Sequence, residues 1–225
     1  DPFLGEIPQL KRGDYPDAMS YDANGRITRD DSRGITSVEY NQLGLPSNIQ
    51  LGANDNVATT YRADGVKEGE SNRHWYLATI IKVNSKGDTI YQQIKKYNTR
   101  TRSFLGAMMR ESGKPDRIYN DAGYIDIHPQ EDSVSYHYYI RDYLGSVRGV
   151  VDGNGTLEQA TDYHSGGIPS SDYGDFSADD RLHTGKEFNN FAGLAWYDNS
   201  ARMYDPITTR FTTPDPLAEK YPDQS

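Results

Sequence analysis

Short runs of alternating apolar and polar residues, separated by clusters of Gly, Asn, Asp and Ser, fill most of this chain. The strongest run is Trp75-Tyr76-Leu77-Ala78-Thr79-Ile80-Ile81-Lys82-Val83. A turn at Asn84–Asp88 follows it, and then a return strand over Thr89–Tyr97 with period-two alternation. Phe104–Met109 and Arg117–Tyr119 flank Ser112-Gly113-Lys114 as a further hairpin. Ser146–Val151 and Thr156–Ala160 do the same around Asp152-Gly153-Asn154-Gly155. No window of helical length is convincingly amphipathic, and the best short helix, around Ala218-Glu219-Lys220, is weak.

An internal repeat underlies this pattern. Tyr-x-x-x-Gly occurs at Tyr21–Gly25, Tyr40–Gly44, Tyr61–Gly65 and Tyr119–Gly123, and more loosely at Tyr163–Gly167. Each unit reads as a strand ending near the Tyr, a tight turn in which Asp, Asn and Gly tolerate positive φ, and a second strand. A period near 20 residues makes one hairpin per repeat. A lone hairpin is barely stable in water, so the hairpins must join into one sheet. The expectation is an all-β chain: consecutive antiparallel β-hairpins forming a curved sheet, a partial shell, with few or no helices.

Composition sharpens this picture. Hydrophobic residues make up only 35% of the 225 residues, yet aromatics reach 12%, too rich for a disordered chain. The 18 Tyr against 6 Phe suit sheets with one packed and one wet face, because Tyr joins a wide apolar ring to a polar tip. The net charge of −9 supplies no basic footprint for nucleic acid and repels anionic membranes, and no apolar run is long enough for a spanning helix. Cys is absent, so no disulfide contributes. The opening Asp1-Pro2-Phe3-Leu4-Gly5 lacks the charged and apolar regions of a signal peptide. Both ends read as cuts in a longer protein.

From residue 136 the sequence resembles a known family. Tyr136-His137-Tyr138-Tyr139-Ile140-Arg141-Asp142-Tyr143-Leu144-Gly145-Ser146-Val147-Arg148 is similar to the opening of the RHS repeat-associated core domain. Asp152–Thr156, Thr184–Phe188, Gly193–Pro206 and Arg210–Leu217 match its later blocks in order, and residues 1–135 resemble the looser tyrosine–aspartate (YD) repeats that precede it. The ending Ala218-Glu219-Lys220-Tyr221 looks like the Bacteroidetes type. The resemblance implies two regions: 1–135, YD-repeat hairpins, and 136–225, a core domain truncated at its C-terminal end. It implies a secreted or cell-surface parent protein whose repeats form a hollow shell around a C-terminal effector, often a toxin. An immunity protein or secretion machinery would be further partners. Edge strands of a cut-out sheet predict self-association. A surface adhesin or carbohydrate-binding module, and a self-cleaving aspartyl protease-like core, are the alternative functions.

The resemblance also names candidate chemistry. Asp215 stands near an Asp that in the family pairs with a later Asp to cut the cargo free, and two close carboxylates can share one proton as acid and base. The second Asp-Pro-x-Gly of the family is missing here, and Pro214-Asp215-Pro216 equally suits a rigid turn. Arg210 would polarise an active-site carboxylate or peptide, or else pair with an acid on the sheet surface. Asp205, before Pro206, reads as a turn residue. His74, His128, His137, His164 and His183 lack the close spacing of zinc ligands, so no metal or cofactor is expected. Gly-x-Ser-x-Gly, Walker and dinucleotide motifs are absent, which leaves no enzyme expected beyond self-cleavage in a longer chain. Asp22–Gly25 and Asp152–Gly155 suit turns rather than calcium loops. Tyr136, Tyr138, Tyr139 and Tyr143 with Trp196 and Tyr197 are expected as an aromatic cluster, through cross-strand packing or as a sugar platform.

Overall fold

The computed structural model describes residues 18–220 except 84, 85, 87 and 171–177. The expected chain ends and most of the turn at Asn84–Asp88 lie outside the described residues. Thirteen strands form one antiparallel sheet in strict sequence order, so each strand pairs with the one before it. The first five are β1 (Met19–Tyr21), β2 (Ile27–Asp30), β3 (Ile35–Tyr40), β4 (Pro46–Leu51) and β5 (Asp55–Tyr61). Two 17-residue strands follow, β6 (Lys67–Val83) and β7 (Thr89–Leu105). Then come β8 (Met108–Glu111), β9 (Asp116–Asn120), β10 (Gly123–His128), β11 (Ser133–Arg141), β12 (Val147–Asp152) and β13 (Leu157–Ala160). The sheet runs unbroken through β11, which crosses residues 135 and 136. A two-stranded pair, β14 (Asp162–Tyr163) and β15 (Pro169–Ser170), comes next. A four-stranded sheet of β16 (Glu187–Asn189), β17 (Trp196–Asp198), β18 (Met203–Asp205) and β19 (Arg210–Phe211) completes the fold. The described residues contain no α-helix; Ala218–Lys220 is a single 3-10 turn.

The expected all-β meander of hairpins is therefore what forms, and the repeat explains why. In five turns the residue after the repeat position bonds twice. Its N–H donates to the carbonyl four residues on, and its carbonyl accepts the N–H of a Gly three residues on. The turns are Asp22–Arg26, Asn41–Leu45, Arg62–Val66, Asp142–Ser146 and Asp152–Thr156, with N···O distances of 2.8–3.0 Å. The Gly of each sits at φ +74° to +86°, where an L residue is strained. Asp22, Asn41, Asp142 and Asp152 also accept backbone N–H groups on their side chains, which is why Asp and Asn recur there. The looser copy at Tyr163 closes the same way, with Gly167 N–H donating to the His164 carbonyl at 3.1 Å.

Two expectations need correction. Phe104–Met109 is not one strand: Gly106, at φ +61°, turns the chain between β7 and β8. The Tyr119 copy does not use the repeat turn either. Asp121 and Ala122 alone join β9 to β10, and Gly123 serves close approach, because a Cβ there would lie 1.9 Å from the His137 carbonyl oxygen.

Residues 178–213 lie across one face of the large sheet. Near one end Ile35, Val38, Ile49, Leu51 and Val57 of β3–β5 pack on Phe191, Leu194 and Trp196. Near the other, Asp179 accepts hydrogen bonds from Tyr119 of β9 and Tyr139 of β11, and its N–H donates to Gln159 of β13. Strands β9 and β13 would stand ~19 Å apart in a flat sheet. That all three reach one residue means the sheet curls around it.

Candidate functional site

The register of the strands places charge on the covered face in a regular row. Thr59, Glu70, Arg102 and Glu111 are direct cross-strand neighbours on β5, β6, β7 and β8. Arg117 and Asp126 face each other on β9 and β10. Opposite charges in register stabilise a sheet where like charges would split it. Arg102 Nε bonds Glu111 at 2.8 Å, and Arg117 forks onto both oxygens of Asp126 at 2.7 and 2.8 Å.

The block on this face brings its own carboxylates to the same cations. Arg102 pairs with Asp180, and with Glu187 at 3.2 Å. Arg117 pairs with Asp179 at 3.1 Å. Lys67 lies 2.7 Å from Glu187 and 3.0 Å from Asp198, which face each other on β16 and β17. At the far end Arg33, fully buried, bonds Asp205 at 2.6 Å, while Asp205 also accepts the Ile207 N–H and the Thr208 hydroxyl. Asp205 is thus the turn residue expected, and an ion-pair partner besides. Two glycines make room for the block's other contacts. A Cβ on Gly166 would lie 2.3 Å from the Pro206 carbonyl oxygen, and one on Gly167 equally close to the His183 ring. Tyr197 and Tyr204 donate to the carbonyls of Gly167 and Gly166 at 2.8 and 3.0 Å.

Burial and neighbours set opposite titration behaviour on these groups. Burial, and the adjacent Asp180 charge, push Asp179 up. Burial would also raise Asp180, but Arg102 and Arg100 override it and hold Asp180 low. Burial raises Glu187 to about 7 against the pull of Lys67. Lys67 loses solvation yet is held above its ordinary value by Glu187, Glu70 and Asp198. An open cleft of about 540 Å³ borders this junction, with Tyr61, Lys67, Phe104, Glu187, Asp198 and Pro216 among its walls. Glu187 is thus a carboxyl raised by burial, held between Lys67 and Arg102 at the edge of a cleft. The surrounding pairs clamp the chain to the sheet. Among the described residues no group of three His, Asp or Glu side chains could hold a metal ion.

The sequence candidates lie elsewhere. Asp215 bonds Arg202 at 2.9 Å and accepts the Leu217 N–H at 2.8 Å, the geometry of a rigid turn with a partly exposed carboxylate. Pro214 beside it packs over the first repeat turn, 3.2 Å from where a Gly25 Cβ would be. Arg210 is exposed on β19, in register with Asp205, which Arg33 already occupies. The cation beside Asp215 is Arg202, stacked over the Phe211 ring at 3.8 Å. The expected aromatic cluster does not assemble. Trp196 and Tyr197 are buried in two different clusters, Tyr139 turns inward to Asp179, and Tyr143 stands 95% exposed. Alternation along β11 sends neighbouring tyrosines to opposite faces. Lys67, Arg102, Arg117 and Asp179 were missed, because a single charge in a strand shows its role only when its cross-strand neighbours are known.

No protein-family model matches the sequence, and no curated protein matches it. Solved structures do. The chain superimposes over 88% of its length on the crystal structure of TcdB2-TccC3, with a TM-score of 0.62 and 16% identity. With TcdB2-TccC3-Cdc42 the TM-score is 0.60 and the identity 17% over the same share. The fold is that of RHS/YD-repeat Tc toxin chains. A third neighbour is the Photorhabdus luminescens Tc holotoxin pore carrying an aspartate-to-alanine change in TccC3, with a TM-score of 0.58 over 87% of this chain. The chain spans about 10% of the length of the TcdB2-TccC3 chains.

Proposed function

We propose that this chain is a wall segment of a secreted or cell-surface RHS-type shell, a scaffold that encloses or presents a C-terminal effector of the same polypeptide. One observation carries the reading. A single length of the chain, residues 178–213, is drawn across the covered face of a curled sheet and clamped by buried or half-buried cations from β6, β7 and β9. A wall built to grip its own continuation on the inside is what enclosure requires, and it has no use for a reactive pocket. A neighbour of the same fold is described without its hypervariable C-terminal region, which fits a wall that serves exchangeable cargo.

The test is to express the longer parent chain with its own C-terminal region and follow that region under limited proteolysis. Enclosure expects it to resist cleavage until the sheet unfolds; cleavage as fast as that of the isolated region ends the proposal. The same chain tests self-cleavage at Asp215. Two fragments from the wild type and one intact chain from Asp215→Asn support it, and an uncut wild type removes it.

A further inference from the structure

Strands β6 and β7 are far longer than their neighbours. β5 pairs with β6 only as far as His74, and β8 pairs with β7 only from Arg102. Beyond those points residues 75–83 and 89–97 pair with each other alone, a two-stranded arm that projects ~30 Å from the sheet. Its tip carries Ile81, Val83, Ile90 and Tyr91, all exposed, the last at 70%. Exposed apolar groups gathered at one place mark an interaction site.

The arm also reverses the charge of the molecule. Residues 75–97 hold Lys82, Lys86, Lys95 and Lys96 against Asp88 alone, a net +3 that leaves −12 on the rest of the chain. The total of −9 conceals this segregation, so the repulsion of anionic surfaces inferred from net charge applies to the body and not to the arm. At the base, Lys95 lies over the Trp75 ring at 3.9 Å and Arg73 over Tyr97 at 5.5 Å.

We propose that the β6–β7 arm docks tip-first on an anionic lipid surface, with Ile81, Val83, Ile90 and Tyr91 entering the headgroup boundary, Lys82 and Lys86 near the tip meeting lipid phosphates, and Lys95 and Lys96 adding a longer-range attraction from ~20 Å behind it. Apolar burial joined to lysine attraction is how peripheral segments bind such surfaces. Nucleic acid fits less well, because cations cover the Trp75 and Tyr97 faces and an aliphatic tip has nothing to bury against on a phosphate backbone. Arm-to-arm pairing of two copies would set like charges together, and lysines on exposed edges oppose it. The acidic body would then be held away from the membrane, which orients the docked molecule.

The experiment is co-sedimentation of the whole chain with vesicles of phosphatidylcholine alone and with phosphatidylglycerol added. Binding is expected only to the anionic vesicles and should fall as salt rises. Lys82→Glu should weaken it by roughly fivefold or more, whereas Lys95→Glu with Lys96→Glu should weaken it less and only at low salt, because those lysines stand ~20 Å behind the tip. Ile81→Ser with Tyr91→Ser should abolish it. All these side chains are exposed, so thermal melting should stay at the wild-type temperature and separate lost docking from lost folding. Equal binding to neutral vesicles overturns the proposal. So does undiminished binding by the Lys82→Glu variant, or capture of single-stranded DNA or self-association without any vesicle binding.

Discussion

A tyrosine hydroxyl is the smallest part that explains the repeat. Tyr40 donates to the Ile27 carbonyl at 2.6 Å, Tyr61 to Pro46 at 3.1 Å and Tyr163 to Val147 at 2.6 Å. Each acceptor is the first residue of a strand in the preceding hairpin, so each ring ties one repeat to the one before it. Burial raises all three phenols well above their usual titration range, which keeps them neutral donors. Tyr40→Phe keeps the ring and strands the buried Ile27 carbonyl, so a loss of about 1–2 kcal/mol is expected in urea denaturation. An unchanged midpoint would remove the latch from the account. At Gly123 the limit is steric: Gly123→Ala meets the His137 carbonyl, and chemical denaturation should show a loss above about 3 kcal/mol.

Among elements, the decisive relation is register. The meander sets Glu70, Arg102 and Glu111 side by side on the covered face, and a slip of one residue in β7 would send Arg102 to solvent. Arg102 is the point where four carboxylates converge or face one another, and two of them, Asp180 and Glu187, belong to the covering block. Arg102→Met would remove the cation that Glu111, Asp180 and Glu187 share, leaving Glu187 to Lys67 and Asp180 to Arg100, a cost of about 3–5 kcal/mol. Because half of the pairing lies between sheet and block, proteases should cut 178–213 sooner in the variant. Cleavage at the wild-type rate would show that the apolar contacts of Trp196 and Phe191 hold the block by themselves.

For the molecule as a whole, the buried charges make stability depend on pH. Glu187 titrates near 4.3 when unfolded and about 7 when folded, so the folded chain holds the extra proton between those values. Its stabilising contribution is therefore full below about pH 4.3 and is lost as pH rises through about 7. Glu187→Gln cannot lose a proton, so its melting temperature should fall less than the wild type's between pH 5 and 8. Parallel curves would mean that Lys67 keeps Glu187 ionised throughout.

Local chemistry decided what the sequence revealed by itself. Tyr-x-x-x-Gly units specify turns through glycine φ and, where Asp or Asn follows the Tyr, Asx bonds that involve only five neighbouring residues, and alternation specifies strands. Hairpins in series followed, and so did the all-β fold. The Asp215 turn was legible for the same reason, since its bonds to Leu217 and Ala218 are local. The arm was half legible: its strands stood out, but not that their neighbours stop short of them. What only the tertiary structure decided is which charges meet. Arg33 and Asp205 are 172 residues apart, and Lys67 and Glu187 are 120 apart. Their attraction is worth much only once the fold has removed water from between them, and no pattern along the chain records that.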